Sequence, residues 1–382
     1  MPMVKGAICV SVPTLLKSKF TDSVCLIAAP KLKVTVTGAA SGCGRYCALM
    51  LKQCPLIDEL ALHDDKGCGL PAVALDLSHI DTRTTITAYE GPAKLKAAVK
   101  KADIVATCSG LPPNSHLTDI QLFELNASVV HKIALHCAEV CPRAMFCVIT
   151  SPVTCLVPMV SEVYKKHCVY DPRRIFGVTS VSSMRANTLV SMVTGAKPSE
   201  VSIPLYGGYG RTLTVPVLSS DQSCCRFPPG QVDCLTKLIR DADDTICNMK
   251  NFKGAADLSQ GFAAARFIVN IVKGIRVGPT CVDGAFVRQT IPDIAKIAPY
   301  LNTQVDVDCK GVVEYAPPTL SQQEQKMIDE SRAELLYLIK TGESYVTCEH
   351  VSMRRIKRMV EKQSEADVSQ VLPFKEQQQA KQ

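Results

Sequence analysis

The stretch Lys33-Val-Thr-Val-Thr-Gly-Ala-Ala-Ser-Gly-Cys-Gly44 decides how this chain is read. A short β-branched strand runs straight into a glycine-rich turn. A helix-like segment follows over residues 45–52, then a second strand, Glu59-Leu-Ala-Leu-His63, which ends at Asp64. This is the outline of a mononucleotide-binding βαβ unit. Glycines let backbone N–H groups approach a pyrophosphate at a helix N-terminus, and an acid about 20 residues further on can hold ribose hydroxyls. Ser41 stands where a middle glycine is expected, so the same run also reads as a tight strand-to-helix turn without a ligand. The strand before it, the helix after it and Asp64 together favour the nucleotide reading.

Outward from that unit, strand and helix signals alternate. Residues 102–108 and 144–150 read as strands, and 122–141 as a helix between them. The strands are near-continuous apolar runs, as expected for a parallel sheet covered on both faces. Pro152 and a turn near Gly177 close this half. The second half reads as a helix over 183–194, a strand-rich region over 201–217, and helices over 234–248, 258–273 and 322–340. The expected fold is α/β: a Rossmann-type doubly wound parallel sheet plus an α+β substrate-type domain. The expected divisions are an N-terminal extension (1–30), a dinucleotide-binding domain (31–176), a C-terminal domain (177–347) and a basic tail (348–382). Val351, Ile356, Met359 and Val360 mark one face of a short basic helix, or the tail is simply solvated.

Composition narrows the class. At 382 residues the chain can hold two ordinary domains. No apolar run reaches the roughly 18 residues that a membrane-spanning helix needs. The net charge of +7 is spread out, and Trp is absent, so neither a nucleic-acid groove nor a base-stacking platform is evident. Lys5, Lys17 and Lys19 face one acid, Asp22, in the extension, which lacks the arginine of a mitochondrial targeting peptide. The 19 cysteines are irregularly spaced without a Cys-x-x-Cys pair, and many lie in apolar segments. They point to free thiols in a reducing, intracellular compartment, cytoplasmic or mitochondrial, rather than a disulfide scaffold. His136-Cys137 with Cys141, and His167-Cys168, lack the two-plus-two spacing of a zinc site, so no metal is expected.

Three longer segments carry a family resemblance: LALHDDKGCGLPAVALDLSHIDTRTTI (60–86), KKHCVYDPRRIFGVTSVSSMRANTLV (165–190) and EQKMIDESRAELLYLIKTGESYV (324–346). They resemble malate dehydrogenases of the mitochondrial/glyoxysomal type, over roughly residues 31 to 347. The resemblance implies an NAD-binding Rossmann domain, a substrate domain and a homodimer. It places Gly38, Gly42, Gly44, Asp64, Gly110 and Asn126 at cofactor positions, with Asp64 favouring NAD over NADP. Arg45 faces either a phosphate or solvent.

At the chemical positions the chain departs from its family. Tyr209, in Leu205-Tyr-Gly-Gly-Tyr-Gly-Arg-Thr212, stands where the family's acid/base His belongs. Ser182 replaces the Asp that orients that His. Pro113 and Asp119 occupy two substrate-arginine positions, Ser151 replaces an Asn, and Arg185 is retained. A tyrosine with a pKa near 10 is a poor base at neutral pH, and Asp119 repels a dicarboxylate. His116, in the same loop as Pro113, either replaces one charge or is solvated.

The expectation is therefore a catalytically degenerate homologue, a pseudoenzyme with a structural or regulatory role in a larger assembly. It retains the possibility of NAD binding, and its extensions are the places for protein partners. The alternative is an active NAD-dependent 2-hydroxy/2-oxo acid dehydrogenase of altered specificity, with Tyr209 or His116 relaying the proton. A third reading is a binding module whose partner affinity responds to NAD.

Overall fold

The computed structural model describes residues 31–40, 42–65, 67–113, 116–221 and 227–347. The expected N-terminal extension and basic tail lie outside the described residues. In the first half β1 (Lys33–Thr37), α1 (Gly42–Lys52), β2 (Glu59–Asp64), α2 (Leu70–Ser78), β3 (Thr85–Glu90), α3 (Leu95–Val99), β4 (Ile104–Thr107), α4 (Asp119–Val140), β5 (Met145–Val148), α5 (Val153–Lys166) and β6 (Ile175–Val178) alternate. The second half begins with α6 (Ser180–Thr194), β7 (Leu205–Gly207), β8 (Thr214–Pro216), α7 (Pro229–Arg240), α8 (Ala242–Met249) and α9 (Asp257–Arg276). It ends with β9 (Thr280–Arg288), α10 (Pro292–Ala295), β10 (Tyr300–Asp308), β11 (Gly311–Ala316) and α11 (Gln322–Thr347).

The strands form one 11-stranded sheet, with β3-β2-β1-β4-β5-β6 parallel and β9-β10-β7-β8 continuing from β6 in antiparallel pairing. β11 pairs with β10 off that path. The chain builds outward from β1 through β2 to β3, then crosses back to place β4 on the other side of β1. That reversal opens a crevice at the carboxyl ends of β1 and β4, where α/β sheets bind ligands.

Side-chain alternation within the strands feeds two cores. Val34, Val36, Ile104, Ala106, Met145 and Cys147 pack with residues of α1, α2 and α9. Val105, Phe146 and Val148 face the opposite layer of α4, α5 and α11. Burial on both faces explains why these strands read as continuous apolar runs.

Two expectations are corrected. Residues 234–248 are not one helix: α7 ends and α8 begins at Asp241 (φ −86°, ψ 0°). Asp243 and Asp244 fall in the first turn of α8, where negative charge suits the helix dipole. Gly177 is not a turn but lies within β6, which spans the expected boundary at 176/177. A Cβ there would overlap Val153 and sit 2.9 Å from Val157, so the glycine lets α5 pack closely on the sheet. The region 201–217 holds only the short β7 and β8.

Candidate functional site

The crevice is built first from backbone. At the end of β1, Gly38 adopts φ +72°, and a side chain there would meet the Ser109 amide at 2.6 Å. A side chain on Gly44 would overlap the Gly38 carbonyl. Gly38 therefore requires glycine on sterics and on φ, and Gly44 on sterics alone. Gly38 and Ala39 donate their N–H groups to the His63 carbonyl. Asp64, half-buried at the end of β2, accepts the Ala40 N–H at 2.8 Å through Oδ2 and the Asp65 N–H at 2.9 Å through Oδ1. It anchors the glycine loop as well as standing at its rim.

Across the crevice, Gly110 takes φ +125°, and a Cβ there would lie 2.7 Å from Asn126 Oδ1. The buried Asn126 amide accepts the Leu111 N–H (2.7 Å) and donates to the Leu111 carbonyl (2.9 Å) and the Ser151 carbonyl (2.7 Å). Asn126 thus positions two loops from beneath. Between them a cleft of about 250 Å³ is bounded by Gly42, Cys43, Cys108, Gly110 and, from the start of α9, Asp257 and Gln260.

A second cavity of about 60 Å³ adjoins this cleft and shares Pro113 and Ser151 with it. The positions singled out from the sequence converge here: Pro113, Asp119, Ser151, Ser182, Arg185 and Tyr209 all line it. Tyr209 is held by its backbone, which exchanges hydrogen bonds with Thr154 Oγ1 of α5 at 3.0 and 3.2 Å. Asp119 arrives on the first turn of α4, which Thr118 and Gln121 close with a capping box. His116 instead lies against Phe252, with ring centroids 4.2 Å apart, and is not part of the cavity wall.

The unexpected member is Asp243. Its Oδ1 accepts from Arg185 Nη2 at 2.5 Å, and its Oδ2 accepts the Tyr209 hydroxyl at 3.4 Å. Beside it Asp244 pairs with Arg211 at 2.6 Å. Burial pushes the Tyr209 phenol well above its ordinary range; Asp243 adds to the rise and Arg185 offsets part of it. Burial disfavours the Arg185 charge, but contact with Asp243 prevails and raises its pKa. Asp119 is raised by burial first and by Glu334 second, against the pull of Arg211. The sequence offered one signal for Asp243, the acidic run Asp241-Ala-Asp-Asp244, but its partner Arg185 lies 58 positions away.

The donor set can be tested for a dinucleotide. Ser151 Oγ, at the junction of cleft and cavity, is buried without a hydrogen-bond partner, so a polar ligand group there would satisfy it. Gly38 and Gly44 let the turn after β1 pack tightly against itself and against the end of β4, which brings Gly42 and Gly110 to the same cleft wall. These residues fit the group. Among the described residues, no cluster of three or more His, Cys, Asp or Glu is arranged to hold a metal ion. Among them, too, no helix is long and apolar enough to cross a membrane.

Comparisons with known proteins agree with this geometry. Residues 32–177 match the family model for the lactate/malate dehydrogenase NAD binding domain, and residues 179–346 match that family's alpha/beta C-terminal domain. The mitochondrial malate dehydrogenase of Sus scrofa is 37% identical over 315 residues, covering 82% of this chain and 91% of the relative. That of Caenorhabditis elegans is 38% identical over the same length. Among solved structures, malate dehydrogenase from Cryptosporidium parvum superimposes with a TM-score of 0.69 at 20% identity, over 82% of this chain and 99% of that one. The lactate dehydrogenase of Cryptosporidium parvum, complexed with lactic acid and nicotinamide adenine dinucleotide, gives 0.68 at 20% identity, over 82% and 98%. At such identities the solved structures speak for the fold.

Proposed function

Because this chain belongs to the lactate/malate dehydrogenase family, we propose that it is a member that keeps the dinucleotide cradle and has lost hydroxy-acid chemistry, serving a structural or regulatory role in a larger assembly. The observation that carries this reading is the Arg185–Asp243–Tyr209 arrangement. A carboxylate from the protein itself occupies the arginine that would bind a substrate carboxylate. An incoming acid would have to displace Asp243 and leave it unpaired in a half-buried site, a state that costs more than an exposed charge.

NAD, when bound, supplies hydride chemistry at its nicotinamide ring. Among the described residues, no imidazole lines the cavity to carry the matching proton. Tyr209 is held protonated by burial and points its hydroxyl at Asp243, and Ser182 offers no carboxylate to stabilise a cation. Loss of a positioned acid/base lowers rate by about 10²–10⁴. Asp119 and Pro113 put no arginine at two clamp positions, and the cavity's other arginines are engaged, Arg211 with Asp244 and Arg240 with the Thr214 carbonyl.

The test is steady-state NADH oxidation by purified protein against a panel of 2-oxo acids. We expect rates at background. Turnover that disappears in Tyr209→Phe would overturn the proposal and favour the altered-specificity dehydrogenase. The cradle half is tested separately, by NADH fluorescence titration, with a saturable change expected.

The reading extends to assembly and compartment. Residues 31–176 and 177–347 act as the dinucleotide and substrate-type domains of a homodimer. Residues 1–30 and 348–382 are the places for other protein partners. Mitochondrial residence follows the names of the relatives. Cross-linking and pull-downs with each end deleted, and cell fractionation, check these points.

A further inference from the structure

Two cysteines far apart in the sequence meet beneath the glycine-rich loop. Cys43 is the second residue of α1, and Cys108 directly follows β4. Both are free, half-buried thiols, and both line the wall of the cofactor cleft. The two thiols act on each other's ionisation, and Cys108 is the largest influence on Cys43. A Cβ on Gly44, the residue after Cys43, would lie 3.1 Å from Cys108 Cβ, so the first turn of α1 rests against the end of β4. We propose that Cys43 and Cys108 are a reversible disulfide site that gates dinucleotide entry to the cleft.

Other thiols are placed differently. Cys47 also acts on Cys108, but it and Cys147 are buried and are not part of the cleft wall. Cys137 and Cys141 are buried in and just after α4. Cys68, Cys168, Cys281 and Cys309 are solvent-exposed and serve as internal comparators. An oxidant entering the cleft meets Cys43 and Cys108 together.

Contact with Cys108 and burial raise the Cys43 pKa. For Cys108 the Cys43 contact pulls downward, but Cys47 and burial win and the thiol is raised overall. Both are therefore protonated and reduced at rest, and their oxidation is slow beside that of an activated thiolate. The site answers sustained oxidation rather than a brief pulse.

The chemistry balances with a hydroperoxide as oxidant. One sulfur attacks the O–O bond and becomes a sulfenic acid, releasing water. The second sulfur then attacks that sulfur, the S–O bond breaks, and the hydroxyl leaves as water with the second thiol proton. Two thiols are oxidised to one disulfide while hydrogen peroxide is reduced to two waters. A dithiol reverses the step by exchange.

The mechanical effect follows from what surrounds Cys43. Its carbonyl lies against α9, where a Cβ on Gly261 would be only 2.7 Å away, so the turn is wedged between α9 and β4. Drawing two sulfurs from contact to a bond of about 2.05 Å pulls the α1 N-terminus toward β4. That narrows the gap between Gly42 and Gly110. The proposal rests on the cofactor reading above, and its test separates the two.

Full-length protein is treated with hydrogen peroxide, and its disulfides are mapped by peptide mass spectrometry. NADH affinity is titrated before treatment, after it, and after dithiothreitol. We expect a Cys43–Cys108 linked peptide and an NADH affinity about tenfold weaker, restored by reduction. Cys43→Ser and Cys108→Ser should each lose the linkage and the effect, while Cys68→Ser keeps both. If Cys43 and Cys108 remain alkylatable after the exposed thiols are oxidised, the proposal fails. An unchanged NADH affinity in the linked protein also overturns it. Reduced protein that binds no NADH refutes the cofactor reading and the gate with it, whereas a missing linkage refutes the gate alone.

Discussion

At the level of single residues, Arg185 and Arg211 make a contrast that can be measured. The Arg185 side chain is 10% exposed and paired to Asp243, while Arg211 is 51% exposed and paired to Asp244. Removing Asp243 strands a mostly buried guanidinium and leaves the Tyr209 hydroxyl without its acceptor. Asp243→Ala should therefore destabilise by about 2 kcal/mol, less than a fully buried pair because Asp243 is partly solvated. Asp244→Ala should cost about 0.5 kcal/mol or less. Urea unfolding of both variants at neutral pH decides the ranking.

Asp119 gives a pH-dependent counterpart. Its folded pKa is raised from 3.8, chiefly by burial, so the folded state holds its proton longer than the unfolded state. The resulting penalty is absent below the unfolded value and develops as pH rises through the folded one. Asp119→Asn should thus stabilise the protein at pH 7, with the gain vanishing in acid below about 3.8. Equal gains at both pH values would contradict the assignment.

The residues read from the sequence (Tyr209, Ser182, Pro113, Asp119, Ser151 and Arg185) do share one wall, because each lies in a local motif that fixes its position. Asp243 was not legible. The acidic run Asp241-Ala-Asp-Asp244 marks a helix start, and nothing local ties it to the distant Arg185 that Asp243 neutralises.

At the scale of elements, α4 depends on its start. Thr118 accepts the Gln121 N–H and Gln121 reciprocates to the Thr118 N–H. Thr118→Ala should cost about 1 kcal/mol and loosen the turn that presents Asp119, measurable as faster amide exchange in α4's first turn. A second case is the crossing of α5 and α11 at Gly342, where any Cβ would overlap the Cys155 carbonyl. Gly342→Val should separate the helices and unfold the protein at lower denaturant.

Element boundaries were readable where side-chain chemistry punctuates them, as at β1 and its glycine turn. They were misread where glycine serves packing, as at Gly177, and where an uninterrupted amphipathic pattern hides a break, as at Asp241. In that second case the paired acids of a helix N-terminus were the available clue.

At the scale of the whole molecule, the sheet runs unbroken from the parallel half into the antiparallel half through the β6–β9 pairing, Gly177 opposite Phe286 and Val178 opposite Ala285. Residues 31–347 should consequently unfold in one transition, with the same midpoint by far-ultraviolet circular dichroism and by tyrosine fluorescence. Two separated transitions would show that the halves are independent. The parallel order was legible from alternating strand and helix signals. The shared sheet was not, because β9 pairs with β6, and β10 with β7, across long sequence separations with no turn signal tying them together.

The Asn126 amide acts as a bracket in this assembly. One planar group grips Leu111 on the cleft side and Ser151 at the cavity mouth, by three hydrogen bonds. A bracket without slack gives the two compartments a common wall that shifts as one piece. If occupancy of one compartment moves this wall, the other feels it, and by linkage the influence is equal in both directions. Substituting Asn126→Ala would free the two loops from each other, and each compartment would then fill without news of its neighbour.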